Sequence, residues 1–288
     1  YGIRSLSTKD GIFTNGIYGF LNILMKLKEQ VEPDKIFAAF DLKAPTFRKE
    51  IYPEYKAGRK PQPQELTMQF PILKEILELY GVSVLQKEGY EADDFLGTVA
   101  RLCGQRDFEC YIATGDRDSL QLVDKTTTVL LAATKAGQPE LRVYTPERIF
   151  EIYGVMPIQL IDVKALMGDA SDNIPGVAGV GEKTALALIA RFQSLDGVYG
   201  NIESPDIKSG VRQKLLKDKE NAYMSLKLGT ICKEVPCDIS FEQNPADIDG
   251  LKKKLASLEL FRIIKRMGLE NAGEKARGAS AERQIEVE

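Results

Sequence analysis

Histidine is absent from the 288-residue chain, and so is tryptophan. The first absence excludes Ser-His-Asp and Cys-His catalysis and every histidine-ligated metal site. Any general acid or base must then be a carboxylate, Lys, Tyr or a metal-bound water. Cysteine is sparse. Cys103, Cys110, Cys232 and Cys237 form no C-x-x-C pair, disulfide framework or zinc knuckle, which suits buried or indifferent thiols in a reducing cytoplasm. No stretch reaches the roughly 18 to 20 apolar residues of a membrane span. There is no secretory signal, and the first residue is Tyr1, so a natural N-terminus is expected upstream. An excess of positive charge is also lacking. The net charge is -3, where a nucleic-acid binder is usually basic, unless acidic residues gather in one pocket and basic ones line a surface.

The chain does have apolar residues in quantity, 43%, enough for one large domain or two smaller ones. Asn15 to Lys28 carries Ile17, Phe20, Leu21, Leu24 and Leu27 at helical spacing. "KIFAAFD" reads as a buried strand ending in Asp41. Gln64 to Tyr80 looks helical, bent at Pro71. "VSVL", "ECYIATGDRD", "TTVLLA" and "LRVY" are further strand candidates. Strands alternating with helices predict a mostly parallel, twisted central sheet flanked by helices, an α/β fold. After Tyr144 the strands stop. Thr145 followed by Pro146 signals a helix start, and the remainder is helical, with a turn at Gly176 to Gly181. From Asn271 the chain reads as a linker or frayed end.

Acidic residues cluster at the places where such a sheet forms sites, outside the carboxyl ends of its strands. Asp41 ends one strand. Asp116 and Asp118 follow another. Glu91, Asp93 and Asp94 in "GYEADDFLGTVA" open the helix after a third, and Asp169 and Asp172 lie in "MGDASDNIPG". Each group has an ordinary explanation. Acidic residues favour a helix N-terminus, and Asp-rich loops form solvated turns. Together they converge on one edge of the sheet. Such carboxylates repel one another unless cations are present, and all-oxygen ligands without His or Cys favour Mg²⁺ or Mn²⁺. Two such ions roughly 4 Å apart activate a water and stabilise the leaving oxygen of a phosphodiester.

Two other stretches suit a phosphate backbone. "TFRKEIYPEYKAGRKPQP" interleaves Arg48, Lys49, Lys56, Arg59 and Lys60 with Tyr52 and Tyr55, though a solvated loop has the same composition. "GVAGVGEKTALALI" places Gly176, Gly179 and Gly181 in a tight turn before an apolar helix, a natural phosphate site. It is not a P-loop, since Glu182 separates Gly181 from Lys183 and no strand leads in. A structural helix–turn–helix corner remains the alternative.

With these residues assembled, the sequence closely resembles the 5′ nuclease (5′-3′ exonuclease) domain of bacterial DNA polymerase I, in the flap endonuclease superfamily. The matching stretches are "AFDLKAPTFRKEIYPEYKAGRK", "GYEADDFLGTVA", "ATGDRDSLQLV" and "ALMGDASDNIPGVAGVGEKTA", which run in the family's order. The resemblance implies a PIN-like catalytic domain over residues 1–153 with a helical arch, a helix–hairpin–helix domain over 154–270, and a tail over 271–288. It implies metal-dependent hydrolysis at 5′ ends and flaps of DNA, in RNA-primer removal and repair. By motif, Asp41, Glu91, Asp93, Asp94, Asp116, Asp118, Asp169 and Asp172 match metal-site carboxylates. Lys56 and Arg59 match basic arch residues that contact the phosphate being cut. Arg48, Tyr55 and Lys60 fall among DNA contacts, Tyr55 through stacking. Gly179, Gly181, Lys183 and Thr184 fall in the hairpin that grips duplex, often through K⁺. The implied protein is a bacterial cytoplasmic monomer without membrane contact, fused to polymerase domains.

The family begins with an apolar strand ending in an "IDGN"-like turn, whose Asp is a metal ligand. The sequence starts after that element, so a fragment with weak or no nuclease activity is expected. A DNA-binding module without catalysis is one rival reading. An aspartyl phosphoryl-transfer enzyme using Asp41 is another, but it leaves the arch and hairpin stretches unexplained.

Overall fold

The computed structural model describes residues 6–135 and 138–270. The tail from Asn271, read above as a linker, lies outside the described residues. Helix α1, Asn15–Val31, ends where Glu32 turns left-handed at φ 51° and returns its N–H to Lys28 O. Strand β1, Phe37–Ala39, is shorter than "KIFAAFD" suggests. Helix α2, Phe47–Ile51, gives way to turns that run through Gly58, with Lys56 at φ 57°. The segment expected as a helical arch is therefore one short helix and a run of turns. Pro53, Gly58, Pro61 and Pro63 interrupt helical hydrogen bonding there.

Helices α3, Gln64–Thr67, and α4, Gln69–Leu79, replace the single bent helix. The break falls at Met68 rather than at Pro71. A proline interior to a helix clashes with the carbonyl four residues back, so the helix restarts and Pro71 sits in its first turn. Strand β2, Ser83–Leu85, pairs with β1. Helix α5, Ala92–Gly104, leads to β3, Cys110–Thr114, a 3₁₀ turn at Arg117–Leu122, β4, Thr127–Lys135, and β5, Gln138–Tyr144. Strand β3 runs parallel to β4. Strand β5 is antiparallel to β4 because Lys135 already faces Gln138, too close for the crossover a parallel pair needs.

No further strand follows among the described residues. Helix α6, Pro146–Tyr153, starts as its sequence signals: Arg148 N–H donates to the Thr145 hydroxyl, Pro146 holds the first position, and Gly154 closes the helix at φ 69°. Helices α7 to α11 are Leu160–Met167, Glu182–Phe192, Leu195–Gly200, Ser209–Lys217 and Lys219–Gly229. Helices α12, Ile248–Ser257, and α13, Phe261–Arg266, are the last among the described residues.

The chain divides into two compact units. Among the described residues, one combines 6–38, 61–84 and 240–270. In it α1, α4, α12 and α13 bury Ile17, Leu21, Ile76, Leu77, Leu251, Leu255 and Ile263. The Gln69 side chain caps α1 by accepting Gly16 N–H at 2.7 Å. The other unit combines residues 39–60 and 85–239. It holds the sheet of β3, β4 and β5, with Phe95, Ile112, Leu120 and Leu130 buried, and a helical core around Leu166, Ala185, Ile189, Leu195 and Leu215. Every candidate carboxylate lies in this second unit.

Candidate metal centre

The N-terminus of α5 organises the first group of carboxylates. Asp41, just past β1, accepts the Ala92 N–H at 2.7 Å and so caps the helix from another segment. Glu91 is the N-cap residue, and its N–H donates to Asp94 Oδ2 at 2.9 Å. Asp93 is held among Asp116, Asp118 and Asp41. Burial and the charges of those three push its carboxyl up to about 7.

Asp94 has a different place. It is 0% exposed, and both its oxygens are 2.8 Å from the Arg48 guanidinium. Glu91 N–H and Cys232 N–H, each at 2.9 Å, complete its hydrogen bonds. No lone pair is left for an ion, so Asp94 is a structural anchor rather than an open ligand. Arg48 is buried too, and also donates to Leu228 O at 2.9 Å and Thr230 O at 3.0 Å. Burial alone would lower its pKa; Asp94 and Glu91 outweigh that and hold it raised. Tyr55, expected to stack on a base, is 3% exposed instead. Its hydroxyl lies 3.2 Å from Glu91 Oε2 and 3.3 Å from Asp172 Oδ2, and burial with these carboxylates raises its pKa. Neither residue presents itself to a DNA strand here, because each is consumed by buried carboxylates.

The turn after β3 supplies the second group. Asp116 accepts Asp118 N–H at 2.9 Å, which aims Asp118 toward α7. The third group hangs from α7. Gly168 at φ 72° and Gly176 at φ 60° let the loop cross itself, and Asp169 and Ile174 exchange two backbone hydrogen bonds at 2.8 Å. Asp172 is thereby folded inward and 5% exposed. One oxygen from each of Asp118, Asp169 and Asp172 lies within 4.8 Å of the others.

Three basic side chains neutralise part of this charge. Lys164 of α7, which the sequence reading passed over, bonds Asp118 and lies 2.7 Å from Asp169 Oδ2. Against burial, Lys164 and the Ser171 hydroxyl hold Asp169 down to about 2, while burial outweighs Lys164 at Asp118 and raises it. The one signal for Lys164 was a lone charge in the otherwise apolar run Val163 to Leu166. Lys56 Nζ is 2.9 Å from Glu91 Oε1 and 3.9 Å from Asp172 Oδ2. Arg59 bonds Asp172 Oδ1, with its Nε at 3.1 Å. An open groove of about 620 Å³ is lined by residues 115–118, Lys164 and residues 167–171.

Lys60 is exposed and stands apart from these ion pairs. Gly179, at φ 74°, lies in the turn before α8, and Gly181 is the N-cap residue of that helix. Lys183 is exposed and Thr184 half-buried in the first turn of α8. Asp218 accepts Ala178 N–H, and Lys214 donates to Gly179 O, each at 2.9 Å. Among the described residues, the hairpin has no hydrogen bond to the acidic groups above.

The donor set is oxygen throughout, and burial together with the neighbouring charges that lift Asp93 disfavours unpaired carboxylates that a cation would pair, so these residues fit a hard divalent ion. A carboxylate centre of this kind on an α/β scaffold is the type of site that metal-dependent nucleases use on phosphodiesters. Residues 1–154 match the family model "5′-3′ exonuclease, N-terminal resolvase-like domain", and residues 155–253 match "5′-3′ exonuclease, C-terminal SAM fold". The chain belongs to the 5′-3′ exonuclease family.

It is 41% identical over 272 residues to the DNA polymerase I of Caldicellulosiruptor bescii, an alignment covering 93% of this chain and 32% of that protein. The chain thus spans about a third of the length of the curated relatives it matches. A solved complex of the bacteriophage T5 flap endonuclease with DNA and metal ions superposes with a TM-score of 0.63 at 21% identity, covering 86% of this chain and 90% of that one. The catalytic core of Rad2 in complex with a DNA substrate superposes with a TM-score of 0.58 at 16% identity, covering 89% and 83%. At these identities the likeness is one of fold.

Proposed function

We propose that the chain cleaves phosphodiester bonds at the 5′ ends and 5′ flaps of DNA, in primer removal and repair. Two or more Mg²⁺ or Mn²⁺ ions would be held by Asp41, Glu91, Asp93, Asp116, Asp118, Asp169 and Asp172. The observation that carries the reading is the approach of Asp118, Asp169 and Asp172 within 4.8 Å. When bound, such ions activate a water and stabilise the leaving oxygen. The chain's own residues do the rest. Asp94 and Arg48 fix the start of α5. Tyr55 fixes Glu91 and Asp172 against each other. Lys56 and Arg59 supply positive donors to the phosphate, and Lys60 extends that surface.

The same proposal has Gly179, Gly181, Lys183 and Thr184 grip duplex at the start of α8, with K⁺ at the turn. It assigns catalysis to residues 1–153 and duplex binding to 154–270. It pictures a monomer fused to polymerase domains in a bacterial cytoplasm, which the greater length of the curated relatives supports for the fusion.

The test is cleavage of a 5′-flap duplex labelled on the flap, with Mg²⁺ and with EDTA. It is run on this chain and on a version preceded by the family's apolar strand and Asp. Mg²⁺-dependent release by the extended version, abolished by Asp118→Asn, is the expected result. Binding without cleavage by a folded, extended chain would transfer it to the class of structure-specific DNA-binding modules.

A further inference from the structure

The basic groups that neutralise the carboxylates are held in two ways. Lys164 is a fixture: its side chain is 8% exposed, and a Cβ placed on Gly229 would lie 3.4 Å from Lys164 Cδ. Arg59 and Lys56 make their ion pairs through their tips and are less enclosed. Their side chains are 47% and 21% exposed, and both enter from the turns that follow α2. Their backbone is secured separately, by Lys56 N–H on Asp172 O and Asn173 Nδ2 on Glu54 O, each at 2.8 Å. The tips can therefore leave while the chain stays.

We propose that Arg59 and Lys56 are exchangeable counter-ions, which occupy Asp172 and Glu91 in the metal-free chain and surrender those oxygens when a divalent cation takes them. This rests on the metal reading above. A guanidinium and a divalent ion compete for the same lone pairs on Asp172 Oδ1 and its neighbours, so each weakens the other's hold. A monovalent head on a flexible stem loses to an ion that draws on several carboxylates together. The surrendered groups then become phosphate donors. One exchange thereby links loading of the metal to readiness for DNA, and it keeps the site from accumulating unpaired negative charge in between.

The test uses Mn²⁺, followed by the paramagnetic resonance signal of the free ion, with no DNA present. The proteins are the parent chain, Arg59→Gln, Lys60→Gln and Asp172→Asn. Lys60 removes the same charge one residue along, from a side chain with no ion pair among the described residues. Arg59→Gln is expected to bind Mn²⁺ about three- to tenfold more tightly than both the parent and Lys60→Gln. Asp172→Asn is expected to bind it more weakly. A second readout is the ¹⁵Nε resonance of Arg59, assigned by its loss in Arg59→Gln, which is expected to move on adding Mg²⁺. Equal affinities for Arg59→Gln and Lys60→Gln, or an unmoved resonance at saturating Mg²⁺, would overturn the exchange and leave the metal reading standing. No Mn²⁺ binding by the parent would overturn both.

Discussion

Lys164 Nζ lies 2.7 Å from Asp169 Oδ2, and the pair is mostly withdrawn from water. Asp169 is held down to about 2, below its ordinary value of 3.8. A lowered carboxyl stabilises the fold above the unfolded pKa, and that contribution fades as pH falls through the folded one. Lys164→Met is therefore expected to cost about 2 kcal/mol at pH 7. It should also flatten the acid loss of stability between about pH 4 and pH 2. Denaturant unfolding of metal-free protein across that range measures both, and parallel acid profiles for parent and variant would refute the assignment.

Asp93 works in the opposite direction. Its carboxyl is raised to about 7, chiefly by burial and then by Asp116, Asp118 and Asp41. A raised carboxyl favours the fold below its unfolded value of 3.8, and the advantage disappears as pH rises through about 7. Metal-free protein is expected to weaken between about pH 4 and pH 7, and Asp93→Asn to be more stable than the parent at pH 8 by about 2 kcal/mol. Unfolding in EDTA at pH 5 and pH 8 decides it. A parent as stable at pH 8 as Asp93→Asn would show that burial and the neighbouring carboxylates do not penalise the charged Asp93 as described.

Arg48 and Asp94 form a bidentate pair inside the molecule, with side chains 3% and 0% exposed. Removing one partner strands the other's charge, so Arg48→Met is expected to cost about 3–5 kcal/mol. Replacing both, as Arg48→Met with Asp94→Leu, should restore a large part of that loss. A contact residue for DNA would behave differently: its loss would spare stability and reduce the salt dependence of DNA binding. Chemical unfolding of the single and double variants separates the two roles.

These pairs also mark the limit of what could be read from the chain. The α/β class, the end of the strands at Tyr144, the caps at Thr145 and Pro146, and the exonuclease family were legible, because each is written in local spacing or in contiguous motifs. The partners of Arg48 and Tyr55 were not. In sequence they belong to a basic, aromatic stretch like a solvated surface, and their carboxylates are 46 and 117 residues away. Lys164 was hidden by the opposite effect, a charge inside an apolar helix whose acidic partners lie in other segments. The break before Pro71 shows a local rule resolved by register: the proline was visible, but where the helix would restart was not.

Gly176 carries the tightest backbone approach near the centre. A Cβ there would lie 2.3 Å from Gly168 N and 2.7 Å from Gly168 Cα, and the residue's φ of 60° is itself unfavourable for a side chain. The obstruction is backbone, so nothing flexible can move aside. The loop between the two glycines carries both Asp169 and Asp172, so any relief must displace carboxylates that share the cluster with Asp118. Gly176→Ala is expected to cost about 3 kcal/mol or more. Mn²⁺ affinity should fall with it by about tenfold or more, because ligand atoms must stay within a few tenths of an ångström of their places. Gly210→Ala is the control: its Cβ would meet nothing within 4 Å, and the change lies in α10. It should leave both quantities near parent values. If Gly176→Ala keeps parent stability but loses Mn²⁺, the crossing serves the site more than the fold. If it keeps both, the close approach of Gly168 and Gly176 does not exist in solution.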